Sequence, residues 1–437
     1  MPRFRNRHQD IGATALTLFF YTLLTRLLLP LFYLRLWWRG RHQPEYRDHW
    51  PERLGYYPKP SDSRPLIWIH AVSVGETQAA LPLIHALIER YPDHALLITH
   101  TTPTGRATAN MDIPPRVLRV YLPYDLPGSV TRFLDTFKPV RGFLLETELW
   151  PRLIDTCHQR HIPLILANAR LSERSARRYA RIPTLVRGML RQLTHIAAQS
   201  PADAYRFEAL GARTPVTIMG NLKFDAVLPR QHPETVTQFR QWIGERQRRI
   251  WVAASTRDGE EVLLLPAIYK ILQPPNLLVL VPRHPQRFDS VADYLSSLNI
   301  SFQRRSSNQP ISPDCQVLLG DSMGELNAWY QLAQFAVMGG TLLPFGGQNL
   351  LEPLRVGCPV ILGPHTYNFA EASTEALAQG AAIQCHDLRD IVLNIEQMLS
   401  DPETCRRMGQ QGQRWIERER GATHRLLAYL SNPPVTA

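Results

Sequence analysis

Residues 69–84 read IHAVSVGETQAALPLI, and their grammar decides the fold. The run PLIWIHAV, 65–72, is apolar and β-branched, as a buried strand is. Gly75 supplies a tight turn, and TQAALPLIHALIERYP, 77–92, has the apolar spacing of an amphipathic helix. Strand, turn, helix is the opening of a doubly wound α/β domain.

The same grammar recurs outward. Apolar runs ALLITHTT, RVLRVYLPYD, RGFLLETELW, IPLILANAR, HIAAQS and VTIMGN follow, separated by helical stretches such as SERSARRYARIPTLVRGMLRQL. Continuous apolar runs between helices predict a parallel sheet covered on both faces. FDAVLPRQHPETVTQ carries prolines and no strand pattern, so it reads as a linker. The pattern then restarts with RIWVAAST, NLLVLVPRH, CQVLLGD, FAVMGGT, CPVILGP and GAAIQCHD, and DPETCRRMGQQGQRWIERERG closes as a charged helix. The expected organisation is an N-terminal segment over 1–60, a Rossmann-like domain over 61–228, a linker over 229–244 and a second Rossmann-like domain over 245–437. Two such domains facing one another form a cleft, with ligands at the carboxyl ends of the strands. No GxGxxG with a following acid and no GxxxxGK[ST] occurs, which counts against nicotinamide enzymes and P-loop NTPases.

Bulk properties narrow the classes. The 437 residues are 44% hydrophobic and 20% charged, with a net charge of +11, which suits acidic partners. Nucleic acid is not expected, since basic residues are spread and no nucleic-acid motif occurs. Five scattered cysteines without a CxxC pair fit a reducing compartment and no disulfide framework or zinc site. At the amino terminus, IGATALTLFFYTLLT, then Arg26, then LLLPLFYLRLWW reads as an uncleaved membrane anchor. Trp37 and Trp38 beside Arg35 and Arg39 suit an interface. Arginines flank both sides, so a spanning helix, an interfacial helix and an ordinary buried helix all remain open.

The strand-end loops hold the candidate chemistry. SVGE is a capping box, with Ser73 as N-cap and Glu76 reaching back to a free N–H. That explains Glu76 structurally, at about 1 kcal/mol. The same carboxylate lies at the expected cleft mouth, where it could serve as a general base, and the two roles are compatible. LLETELWP places Glu146 and Glu148 at a strand end, sharing a face if the strand continued. Lys223 in GNLKFD lies next to the linker and could neutralise a phosphate or hold a carboxylate. Arg283 and His284 lie between prolines, and Arg is the natural fork for phosphate. GDSMGELNAWY begins a helix at Met323, Gly324 and Glu325. GGTLLPFGGQNLLEPLRVGCPVILGP leads through Gly346 and Gly347 into a helix near Gln348 and Asn349, an anion site by geometry, with Glu352 placed to grip a ribose.

Taken together, HAVSVGE, ETELWP, GNLKFD, PRHPQRF, DSMGEL and the glycine stretch ending in NF resemble the 3-deoxy-D-manno-octulosonic acid (Kdo) transferases of lipopolysaccharide synthesis. The resemblance runs almost the length of the chain. The variation GGQNLLEP, where other members carry His or Pro in the loop, leaves the helix start and Glu352 in place. The resemblance implies a GT-B fold of two facing Rossmann-like domains with an anchor helix. It implies CMP-Kdo as donor, a lipid A precursor such as lipid IVA as acceptor, and no cofactor or metal. It implies Glu76 as the base, with Glu146 and Lys223 stabilising the transition state. It implies CMP binding by Pro282 and Arg283, by Gly324, Glu325 and Leu326, and by Asn349, Leu350, Leu351 and Glu352. The expected location is the cytoplasmic side of the inner membrane, against anionic lipid. The glycine loop alone would also fit a UDP-sugar transferase or a UDP-sugar 2-epimerase.

Overall fold

The computed structural model describes residues 3–41, 43–225, 233–244 and 248–431. The chain forms two compact units, Met1–Ala226 with Arg420–Ala437, and Val227–Glu419. In the first, β1 (Leu66–His70), β2 (Ala95–His100), β3 (Leu118–Tyr121), β4 (Pro139–Leu145), β5 (Leu164–Ala169), β6 (His195–Ala198) and β7 (Val216–Ile218) make one parallel sheet. Their order is β3-β2-β1-β4-β5-β6-β7. Every residue of β1, β2 and β5 is buried, because helices cover both faces. The chain reverses its direction of winding between β1 and β4, the place where such sheets open a crevice.

The second unit repeats the plan. β8 (Arg249–Thr256), β9 (Asn276–Pro282), β10 (Phe302–Arg304), β11 (Val317–Leu319), β12 (Phe335–Met338), β13 (Val360–Leu362) and β14 (Ala382–Gln384) run parallel in the order β10-β11-β9-β8-β12-β13-β14. Here the reversal lies between β8 and β12. Gly339 ends β12 so close to β8 that a Cβ would meet the Ser255 carbonyl oxygen at 2.3 Å. Only glycine fits there.

Four expectations need correction. Strand β10 is absent from the sequence reading, since FQR is short, polar and half-buried at a sheet edge. Residues 43–57 are not merely juxtamembrane. Glu52 is buried, accepts from the Tyr121 N–H at 2.7 Å and pairs with Arg106 at 2.8 Å, so this segment belongs to the first unit. Part of the linker, 229–232, lies outside the described residues, but Pro233–Ile243 is a helix with proline at its first position. Its Phe239 is buried and stacks on Trp329 with ring centroids 4.0 Å apart.

The fourth concerns the carboxyl end. The charged helix Pro402–Glu419 stops before Gly421, whose φ is +100°. The next helix, Ala422–Ser431, packs on the first unit, with Ala422 and Leu426 in its core. The Asp225 carboxylate accepts from the Gly421 and Thr423 N–H groups, both at 2.6 Å, and so caps this helix.

The amino-terminal helix Arg3–Arg39 includes a segment, Ala15–Arg39, long and apolar enough to cross a membrane. It docks along the first unit. Leu18, Thr22 and Leu36 are buried, Arg152 Nε donates to Thr22 Oγ1 at 2.5 Å, and Phe32 stacks on Tyr124 at 5.5 Å. Leu16, Phe20, Leu24, Leu27, Leu31 and Leu34 are exposed.

Replacing Asp225 by Ala removes two charge-assisted bonds to the last helix. The expected cost is about 1–2 kcal/mol. Thermal unfolding should show a lower melting temperature, and hydrogen exchange should show earlier loss of protection over 422–431.

Candidate active site

Glu76 caps the helix Val74–Arg90 that leaves β1. Ser73 Oγ accepts from the Glu76 N–H at 3.3 Å and donates to Glu76 Oε1 at 3.1 Å. Glu76 Oε2 accepts from the Val72 N–H at 2.7 Å, one residue before the usual target of a capping box. Burial pushes the Glu76 carboxyl up to about 7, helped by the charges of Glu146 and Glu148, while the Val72 N–H and His70 pull it down. A half-buried carboxylate that titrates near neutrality can take a proton at working pH.

β4 ends at Leu145, so Glu146 and Glu148 do not share a strand face. Glu146 has a left-handed φ of 54°, unusual for a residue with a side chain. Its Oε1 is 3.5 Å from Lys223 Nζ. Glu148 Oε2 accepts from Trp150 Nε1 at 2.9 Å and lies 3.6 Å from Nε2 of the buried His70. Lys223 is placed from β5. Asn168, at φ 52°, accepts the Leu222 N–H at 3.0 Å and so holds the short 3-10 turn Leu222–Asp225. The first unit thus brings Glu76, Glu146, Glu148 and Lys223 together around the exits of β1 and β4.

In the second unit, Pro282 ends β9 and Arg283 is exposed just beyond it. Glu352 is raised by burial and lowered in turn by its bond from Asn349 Nδ2, at 3.0 Å, and by the charges of Arg283 and Arg355. Burial likewise raises the Tyr330 hydroxyl, with Glu352 adding to it and Arg283 opposing. Asn349 and Glu352 therefore touch, and Arg283 acts on Glu352. The helix they introduce is shorter than expected, Leu351–Arg355, and begins after Leu350 rather than at Gln348. Five residues make a weak dipole, so this helix start does not by itself make the expected anion site. Gly324, at φ +83°, precedes Glu325, which begins the helix Leu326–Leu332. Glu325 is already engaged by Arg305 at 2.6 Å and by the Ser322 hydroxyl.

Sequence reasoning missed the loop after β8. Ser255 adopts φ 57°, and Arg257 Nη1 lies 3.1 Å from His284 Nε2. Burial and the charges of Arg257, Arg283 and Arg287 lower His284. The buried Glu260 accepts from the N–H groups of Arg257, Gly340 and Leu342 at 2.8, 2.7 and 3.0 Å, locking the glycine loop. The signal was present in STRDGEE, an acid-rich helix start after a strand.

The sequence model for 3-deoxy-D-manno-octulosonic-acid transferases (kdotransferases) matches residues 48–226, and that for group 1 glycosyl transferases matches 297–415. Over 417 residues the chain is 39% identical to the 3-deoxy-D-manno-octulosonic acid transferase of Haemophilus influenzae, covering 94% of this chain and 97% of that protein. This chain belongs to the Kdo transferase family. The Kdo transferase of Bordetella pertussis is 37% identical over 427 residues, 94% of this chain and 98% of that one. The UDP-GlcNAc 2-epimerase of Neisseria meningitidis, solved with UDP-GlcNAc, superposes with a TM-score of 0.53 at 15% identity, over 84% of this chain and 99% of that chain. That likeness shows the two-domain fold of GT-B enzymes and no more. The Kdo transferase assignment rests on sequence.

The raised Glu76 pKa has a sign that can be checked. The folded protein holds this proton more tightly than the unfolded chain, whose ordinary value is 4.5. The contribution to stability is complete below that value and is lost as pH rises through about 7. Glu76→Gln removes the titration. Melting curves at pH 5 and pH 8 should show the variant gaining on the wild type at the higher pH.

Proposed function

We propose that this Kdo transferase moves Kdo from CMP-Kdo to a glucosamine hydroxyl of a lipid A precursor such as lipid IVA, with Glu76 as general base. The observation that carries this reading is the Glu76 carboxyl, half-buried at the exit of β1 and pushed up to about 7. The acceptor oxygen attacks the anomeric carbon of Kdo as Glu76 takes its proton. The bond from that carbon to the phosphate oxygen breaks, and CMP departs as the leaving group. Arg283, with Arg257 and His284 beside it, is available to hold the phosphate, and Asn349 with Glu352 suits the ribose hydroxyls. Lys223, paired with Glu146, balances charge near the base. In this reading cationic side chains take the leaving-group charge and no metal ion takes part.

Glu76→Gln keeps a capping side chain but cannot act as base. Kdo transfer should fall by about 10²-fold or more, with the melting temperature held. The wild type should keep its full rate in chelator. A variant that turns over normally would move the base to Glu146.

We place the enzyme on the cytoplasmic face of the inner membrane, with Ala15–Arg39 lying in the leaflet rather than across it. Its docked face carries Thr22, bonded to Arg152, and its other face exposes leucine and phenylalanine. A spanning helix would draw Arg152 and the docked unit into hydrocarbon. The helix Pro183–Gln192 packs against it, and just ahead Arg174, Arg177, Arg178 and Arg181 line one open surface pocket with Glu173, which pairs with Arg177 at 3.2 Å and leaves an excess of positive charge. Apolar face and arginines together suit anionic lipid. Arg177→Glu with Arg178→Glu should weaken binding to phosphatidylglycerol vesicles, and high salt should do the same to the wild type. Binding indifferent to both would leave anchoring to the helix alone.

A further inference from the structure

We propose that His70 is a positioning residue for Kdo transfer, holding the Glu148 carboxylate in place beside Glu76. This rests on the reading of Glu76 as the base.

His70 is the last residue of β1 and has no exposed surface. One edge of its ring is clamped. Nδ1 accepts from the Thr99 Oγ1–H at 2.9 Å, the tautomer that keeps the ring proton on Nε2, with the Thr99 carbonyl oxygen 3.1 Å away. Thr99 Oγ1 is itself fixed by the Trp68 Nε1–H at 2.9 Å. Strand register sets this clamp, since His70 stands opposite Thr99 of β2. The other edge is unfinished. Nε2 is buried and lacks a hydrogen-bond partner, and Glu148 Oε2 is 3.6 Å away. A buried, unpaired ring nitrogen is destabilising, and an apolar side chain would avoid that cost. Bonds at catalytic sites are commonly long without substrate and shorten when it binds.

The partners of the three carboxylates differ in kind. Glu146 has Lys223 at 3.5 Å, and Glu148 has the Trp150 indole with His70 beyond it. Glu76 is held by the neutral donors Val72 N–H and Ser73 Oγ–H. Glu146 thus faces a cation, while Glu148 rests on a single indole N–H until His70 completes its grip. If Glu148 swings away, its charge no longer acts on Glu76. The imidazole fixes Glu148 from below, from the rigid sheet, where a solvent-exposed donor could not.

Two polar replacements separate the two edges of the ring. Asn reaches the Nδ1 position and keeps the Thr99 side. Gln reaches the Nε2 position and keeps a donor toward Glu148. His70→Asn should lower kcat about 10–100-fold with little change in either KM, as loss of an orienting bond does. His70→Gln should stay within a few-fold of wild type. In the double variant with Glu148→Gln, His70→Asn should add almost nothing. Equal rates in the Asn and Gln variants, losses that follow the melting temperature, or additive losses would overturn the proposal. Glu76→Gln is assayed alongside. If it is inactive while the two His70 variants match, only the role of His70 falls. If it is fully active, the base reading falls and takes this proposal with it.

Discussion

Three carboxylates gathered at the exits of two neighbouring strands repel one another, and much of the first unit is arranged around that repulsion. Glu76 follows β1, and Glu146 and Glu148 follow β4. These strands are adjacent only because the winding reverses between them. A flexible loop would relieve the repulsion by spreading the charges apart. A parallel sheet buried on both faces does not yield in that way. The relief comes instead from outside the strands. Asn168, near the end of β5, grips the Leu222 N–H, which sets Lys223 against Glu146. Two residues on, Asp225 caps the last helix of the chain. The charge beside Glu146 and the cap that fastens the helix Ala422–Ser431 thus lie on one short turn.

The second unit meets a different demand. In the proposed reaction it presents positive charge beside a backbone that a ligand could approach closely. Gly339 lets β12 end against Ser255, and Gly346 and Gly347 continue the loop at positive φ. Such a loop is floppy unless held. Glu260 holds it, spending its buried charge on backbone N–H groups of the loop. Arg257 and Arg283 then stand beside a rigid frame, and burial together with their charges lowers His284.

Much of this was legible in the sequence. Every strand of the first sheet could be read: β1, β2 and β5, buried on both faces, are written as apolar runs, and the half-buried edge strands β3 and β7 still carry Leu118, Val120, Val216 and Ile218 at alternate positions. β10 could not, since an edge strand of Phe302, Gln303 and Arg304 has no such run. The helix Pro233–Ile243 was hidden by its proline, which starts a helix as readily as it ends one. Ala422–Ser431 was hidden for a different reason. Nothing local in Gly421 or Thr423 says that their partner is Asp225, nearly two hundred positions earlier, and such pairings exist only in three dimensions. Among the candidate site residues, Glu76, Glu146, Lys223 and Arg283 announced themselves by standing at strand ends. His70 and Glu260 did not. A buried histidine ending a strand and a glutamate starting a helix each have an ordinary explanation until the tertiary partners are seen.

The capping role of Glu76 also bears on how it could act as a base. Its Oε2 is committed to the Val72 N–H at 2.7 Å, a short bond to a fixed backbone donor. Its Oε1 takes only the Ser73 hydroxyl, at 3.1 Å, and that hydroxyl can turn away. The cap therefore fixes the carboxylate in one rotamer and leaves the more basic lone pairs on Oε1. A base held this way loses little freedom when substrate binds, so the ordering cost is met by folding rather than by catalysis. The cap lowers the proton affinity of Glu76 while burial raises it, and burial wins. Capping box and general base are compatible uses of one carboxylate, and the first would supply the rigidity that the second requires.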